Sequence, residues 1–454
     1  MNIDKIKGPD KVFLKQMLAI SVPIALQQFV NSALNMLDVF MIGRLGEIEI
    51  TGVGLANQIF FLYSLLLFGI NSGAAIFISQ SWGRNDRDGI YKTMGISFTI
   101  SLIASAVFIF AGSIFPKELI SIYSKDADVI LAGAKYLKVV IISYVFSGVS
   151  NTIGFALRSI GHPRIHAYVS LASLASNAVL NAILIFGFLG FPALGVIGAA
   201  IATDISRVFE FLLIVFLVKK YNMPIVTKIR NYFTYKSIHV KKFFNTAGVV
   251  ILNEVLWSIG TSMYNVGYKF AGTKAQAAVQ ISSNIQNMFY VVSFGIGSAA
   301  AVMLGSLLGA GKFEKAIDYS KKFFKSVIIA GFVCMLVLLL IRPPLLSVFK
   351  ISEEVYVNSS RILFVMALYF PARMLNHLII VGILRCGGDT LSSLFLDGVA
   401  VWAIGVPMAF LGTLVFKLPI YLVMALVFAE EPIKLILGLI RVKSKKWVKK
   451  IEIS

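Results

Sequence analysis

The chain has 454 residues, 58% of them hydrophobic and only 14% charged. Soluble domains run nearer 45–50% apolar and about 25% charged, so a water-exposed fold would carry very large apolar patches, and lipid is the solvent that fits. The formal net charge of +20 does not make a nucleic-acid face, because the basic residues sit in short breaks between apolar runs.

Residues 1–16 carry Lys5, Lys7, Lys11 and Lys15 and lead into an apolar run with no small-residue cleavage pattern. The first helix is therefore expected to stay in the membrane with the N-terminus cytoplasmic. Crossing a core of about 30 Å takes about 20 apolar residues. On that measure the chain predicts about 12 spanning helices, at 17–43, 51–82, 93–115, 131–156, 166–188, 195–218, 246–270, 275–308, 326–346, 356–383, 392–414 and 419–440. Basic residues then test the threading. Inner loops hold Arg84, Arg87 and Lys92, then Arg158 and Arg164, then Lys312, Lys315, Lys321, Lys322 and Lys325, while outer loops are poorer. An even number of spans with both ends inside satisfies this bias throughout.

The longest inner loop, 219–245, falls halfway along the chain and is strongly basic. The halves on either side are related. Phe68-Gly69-Ile70-Asn71-Ser72-Gly73 resembles Phe294-Gly295-Ile296-Gly297-Ser298-Ala299, and an offset of 226 also sets Gly83 on Gly309, Gly46 on Gly272 and Gln28 on Glu254. An offset of 227 sets Arg158 on Arg385. The expected organisation is an N-terminal six-helix lobe (1–218), a cytoplasmic linker (219–245), a C-terminal six-helix lobe (246–440) and a basic tail (441–454). Six crossings per half is even. The expected fold is thus an all-α polytopic membrane protein of two six-helix bundles related by a pseudo-two-fold axis along the membrane normal.

Several pieces of the chain, in this order and spacing, resemble the multidrug and toxic compound extrusion (MATE) family. They are Ser21-Val22-Pro23, the Asp38–Gly43–Leu45–Gly46 run, and the Gly83 turn. The second half adds Asn253-Glu254, the Leu384-Arg385 to Asp389-Thr390 turn, and Trp402–Gly405–Pro407. The resemblance covers nearly the whole chain. It implies export of drugs and metabolites, often organic cations, driven by an inward Na⁺ or H⁺ gradient.

Ionisable residues inside a membrane are costly and are functional candidates by default. Asp38 shares a helix face with Asn31 and Asn35, and the resemblance makes it the coupling carboxylate, taking a proton or serving Na⁺ as a hard oxygen ligand. The plainer reading is a solvated or capping Asp near a helix end. Asn177 and Asn181 stand one turn apart; one family branch has Asn then Asp at this spacing, so Asn181 replaces an acid. A cation-coupling set of Asp38, Asn177, Asn181 and Thr203 competes there with simple interhelical hydrogen bonding. Glu254 lies mid-helix beside Asn253 and Trp257. Buried without a partner it is an exchangeable proton carrier or a lure for a cationic cargo, with Trp257 as an aromatic face; the alternative is a Glu bonded to a neighbouring helix. The acid that NorM-like relatives carry on the tenth helix is absent, Met374 standing there. Gln28, Asn31, Asn35, Glu254, Trp257 and Tyr264 make up the expected substrate or second coupling site. Asp204, Arg207 and Glu210 read as a structural ion-pair ladder.

There is no Walker motif and no nucleophile–base constellation, so neither an ATP-driven pump nor an enzyme is expected. Two cysteines and four histidines show no metal spacing, and no cofactor is expected beyond the coupling ion. The expectation is a monomeric secondary antiporter of the plasma (inner) membrane exporting amphipathic, cationic small molecules by rocking-type alternating access. The expected partners are those molecules and membrane lipid, with no nucleic acid. The rival readings are a lipid-linked oligosaccharide flippase of the same superfamily and a channel.

Overall fold

The computed structural model describes residues 9–347, 349 and 351–453, apart from the side chains of residues 9, 33–37 and 39. Helices dominate, and their ends follow local chemistry. The α1 helix (Pro9–Gly43) starts ahead of the apolar run expected at 17. Phe13, Met17, Ile20 and Ile24 recur at helical spacing there and bury together, with Phe13 edge-on to Tyr319 and Phe323 at 5.1 and 4.9 Å. The α2 helix (Glu47–Gly83) runs to a tight turn at Asn85 (φ 61°), after which Asp86 caps α3 (Arg87–Ile114) by accepting from the Gly89 amide at 2.8 Å.

Next come α4 (Ala127–Val140) and α5 (Ser143–Ser159), which form one bent span with a 55° break where a single helix over 131–156 was expected. Pro163, in the first turn, opens α6 (Pro163–Phe186), and α7 (Gly195–Lys220) follows. The second half holds α8 (Ser237–Lys269), α9 (Thr273–Gly309), α10 (Phe313–Ser347), α11 (Glu353–His377) and α12 (Thr390–Val415). A π-type stretch, Leu378–Leu384, continues α11. The expected last span is divided at Ala429 into α13 (Ile420–Phe428) and α14 (Glu430–Lys443). Among the described residues nine helices are long and apolar enough to cross a membrane, ten with α4 and α5 taken as one span. The remainder of the expected twelve, α7 and the α13–α14 pair, carry charges inside: Asp204, Arg207 and Glu210 in one, Glu430, Glu431 and Lys434 in the other. The protein is an all-α polytopic membrane protein.

By packing, the chain divides into two compact units. The first takes Leu26–Ile78 and Asp86–Phe243. Its core centres on Tyr63, stacked on Tyr144 at 4.7 Å, with the Tyr63 hydroxyl shared between Ser105 Oγ (2.8 Å) and the Tyr144 carbonyl (2.7 Å). The second takes the start of α1 up to Ala25, the Ser79–Asn85 turn and Phe244–Glu452. Inside this second unit the ends of α2 and α9 cross with almost no separation. A Cβ on Gly83 would strike the Ser306 backbone, and a Cβ on Gly309 would strike the Gln80 backbone. Gly83 and Gln80 are the repeat equivalents of Gly309 and Ser306, so the contact is reciprocal, as a two-fold relation between repeated segments requires. The chain's last residues lie over this turn. Gln80 Nε2 donates to the Cys386 carbonyl (2.8 Å), its Oε1 accepts from the Ile451 amide (2.7 Å), and Trp447 is buried.

Candidate functional site

Within the first unit, α1, α2, α4, α5, α6 and α7 surround a cavity of about 480 Å³. Asp38 of α1 reaches it, and α6 meets Asp38 with Asn177 and Asn181, four apart and therefore on one face. Asn181 Nδ2 donates to Asp38 Oδ1 at 2.8 Å. With the Asn177 amide turned to place its nitrogen toward α1, Asn177 donates to both carboxylate oxygens at 3.2 Å. Asp38 then receives N–H groups from two amides. Thr203 of α7 lines the same cavity, its hydroxyl donating to the Ala199 carbonyl at 3.0 Å. The four residues of the expected coupling set are together.

Two further features bear on chemistry. Asn181 Oδ1 is buried without a hydrogen-bond partner, a spare hard oxygen beside the carboxylate. Aromatic side chains of Phe60, Phe61, Tyr136 and Tyr144 line the cavity, together with Arg207. Arg207 is itself engaged by Glu210 at 2.7 Å. Asp204 joins no ion pair among the described residues and its Oδ1 is buried without a hydrogen-bond partner, so the expected three-residue ladder reduces to the Arg207–Glu210 pair. Tyr136 and Asn57 line the cavity too. Neither stood out in the sequence: an isolated Tyr or Asn in an apolar helix has no periodic signal of its own.

The second expected set is not one cluster. Gln28 and Asn31 are on α1 in the first unit and do not line the cavity, and the side chain of Asn35 lies outside the described residues. Glu254, Trp257 and Tyr264 are on α8 in the second unit. Glu254 is buried but not unpartnered, which corrects the reading of a lone carboxylate. Arg385, from the turn after α11, meets it at 2.7 Å, so the plainer alternative of a Glu bonded to a neighbouring segment describes the geometry. Trp257 is 37% exposed and has no place in that pairing.

Glu254 begins a chain of alternating charge within the second unit. Arg385 also faces Asp397 at 3.9 Å, Lys434 faces Asp397 at 3.8 Å, and Lys434 pairs with Glu430 at 3.1 Å. Asn253 donates to Asp397 at 3.0 Å and the Tyr264 hydroxyl donates to Glu430 at 3.0 Å. Glu254, Asp397 and Glu430 stand against Arg385 and Lys434, one carboxylate in excess. A separate neutral pair, Arg373 with Glu431 at 3.2 Å, is completed by Asn376 donating to Glu431 at 2.7 Å. Lys434, inside the span expected at 419–440, was absent from the sequence expectations because a single lysine among apolar residues carries no periodic signal of its own.

Known proteins bear on this arrangement in two ways. The sequence pattern of the MatE family matches the chain twice, at residues 23–183 and 247–411, in register with the internal repeat. The chain is 25% identical to the uncharacterized transporter YisQ of Bacillus subtilis, over 98% of this chain and 97% of the relative. It is 23% identical to a probable multidrug resistance protein NorM of Thermotoga maritima, over 96% and 93%. Among solved structures it resembles a MOP superfamily transporter from Pyrococcus furiosus, with a TM-score of 0.86, 20% identity and 96% of both chains covered. The double match over most of the sequence and the shared fold place this chain in the MatE family, as a MATE-type membrane transporter.

Proposed function

We propose that the protein is a secondary antiporter that exports amphipathic, cationic compounds across the plasma membrane in exchange for Na⁺ or H⁺, acting as a monomer with both termini cytoplasmic. The observation that carries this reading is Asp38, held by the amides of Asn181 and Asn177 in a cavity lined in part by aromatic side chains. Two N–H donors suit a carboxylate that is ionised and empty of a cation. A cationic cargo finds there one negative charge and flat apolar faces.

An incoming ion changes the requirement. A proton on Asp38 turns one oxygen into a donor, which conflicts with an amide N–H. Na⁺ calls for amide oxygens in place of amide nitrogens, and Asn181 Oδ1 is already free for that role. In either case the α1–α6 contact must rearrange, and the charge that held the cargo is gone. Cargo and coupling ion thus compete for one carboxylate, and rocking-type alternating access makes that competition directional. The chain from Glu254 to Glu430, with its extra carboxylate, is the second place where an ion can be held. The test is efflux of ethidium from proteoliposomes, in which Asp38→Asn should bind dye weakly and lose gradient-driven transport.

A further inference from the structure

The internal repeat superimposes Arg158 on Arg385, yet the two arginines have different surroundings. Arg385 has the carboxylate of Glu254 at 2.7 Å and that of Asp397 at 3.9 Å. Arg158, at the end of α5, has no carboxylate partner among the described residues. Its Nη2 donates to Gln27 Oε1 of α1 at 3.1 Å and meets His166 Nδ1 of α6 at 3.1 Å. That nitrogen therefore acts as an acceptor, and the imidazole is neutral. Gln27 Nε2 in turn donates to Ser170 Oγ at 2.7 Å. Gln27, His166 and Ser170 are all buried, and Gly154 is what leaves room for the imidazole, since a Cβ there would collide with it.

The guanidinium stays charged at any physiological pH. Lying over the Phe155 ring at 5.0 Å, it keeps its Nε–H buried and without a partner. Withdrawing a charge from water costs several kcal/mol unless a counter-charge and hydrogen bonds compensate, and buried charges are as a rule paired. Here neutral acceptors take one side of the fork; the Nε–H is left over, as it also is in Arg385, so what sets Arg158 apart is the absent counter-charge. The missing element is an oxyanion, which a guanidinium binds through two parallel N–H groups.

We propose that Arg158, with Gln27, His166 and Ser170 around it, is a binding site for one anionic group, a carboxylate or a phosphate ester, belonging to a lipid headgroup or to a zwitterionic cargo. The site is separate from the Asp38 cavity, concerns an anion rather than the coupling cation, and stands whether or not Asp38 is the coupling group. Gln27→Glu is the informative variant. It supplies from inside the protein the carboxylate that Arg385 already has, and so should occupy the guanidinium permanently.

The experiment is the thermal-unfolding midpoint of the purified full-length chain. It is titrated with inorganic phosphate and with benzoate in detergent, and compared between phosphatidylcholine bilayers with and without phosphatidylglycerol. The wild type should be stabilised saturably by at least one of these anions. Arg158→Gln should weaken that response by at least about tenfold in apparent affinity, the worth of a charge-assisted hydrogen bond. Gln27→Glu should abolish the response while folding at least as stably as the wild type. A response to benzoate alone assigns the anion to cargo, and one to phosphatidylglycerol assigns it to lipid. If Arg158→Gln does not fold, Gln27→Glu decides. A wild type indifferent to every anion, or a Gln27→Glu variant that responds as the wild type does, would overturn the proposal.

Discussion

Glu254 and Arg385, 131 residues apart in sequence, form a buried ion pair at 2.7 Å, and this pair makes the middle of α8 a structured charge chain instead of a lone carboxylate. The cavity with an accessible acid lies in the other unit, at Asp38.

Removing one partner of a buried pair leaves the other charge uncompensated, at a cost of about 3–5 kcal/mol. Glu254→Gln should therefore lower the unfolding midpoint strongly. Glu254→Gln combined with Arg385→Gln should cost much less than the two single changes added together. A double-mutant cycle of thermal unfolding in detergent measures this, and additive effects would contradict the pairing.

The crossing of α2 and α9 makes a second prediction. Gly309→Ala places a methyl group against the Gln80 backbone, which cannot move aside as a flexible side chain would. A loss of about 1–3 kcal/mol is expected, the usual penalty of overpacking. An unchanged unfolding midpoint would show that the helices cross less closely.

Between spans, Asp389 receives both Arg441 Nε (2.6 Å) and Arg441 Nη2 (2.9 Å). Burial opposes ionisation of Asp389, but the hydrogen bonds from Arg441 and Ser392 outweigh it and hold the carboxyl below the ordinary 3.8. A carboxylate whose folded pKa is lowered contributes stability above its unfolded pKa and loses that contribution as pH falls through the folded value. The wild type should thus be more stable than Asp389→Asn at pH 7, by about 1–3 kcal/mol. The gap should narrow as pH drops below about 4. A gap independent of pH in unfolding titrations would rule out the ionised pair as its source.

Asn181→Asp bears on the cation site. It would add a second carboxylate 2.8 Å from Asp38 Oδ1, and cation affinity rises with ligand charge. Replacing choline chloride with NaCl should then raise the unfolding midpoint of the variant more than that of the wild type. Equal responses would mean that the Asp38 and Asn181 oxygens cannot share an ion.

Much of this was legible in the chain, for identifiable reasons. Spans announce themselves because lipid demands long apolar runs, and the repeat shows in the Phe68 and Phe294 motifs. Asn177 and Asn181 could be set on one face by their spacing alone, and the structure brings them to Asp38. The partner of Glu254 was not legible, because no local pattern tells a buried acid which distant arginine it meets. The α1 start at Pro9 was missed for a different reason: Lys11, Lys15 and Gln16 interrupt the apolar residues there, so hydropathy passes over an amphipathic helix turn that packing completes.

The most direct test of the account is ethidium efflux from proteoliposomes under separately imposed Na⁺ and pH gradients, comparing the wild type with Asp38→Asn. The account predicts that at least one gradient drives uphill efflux by the wild type, and that neither does so in the variant although it inserts and folds. Gradient-driven efflux by Asp38→Asn at the wild-type rate would contradict it.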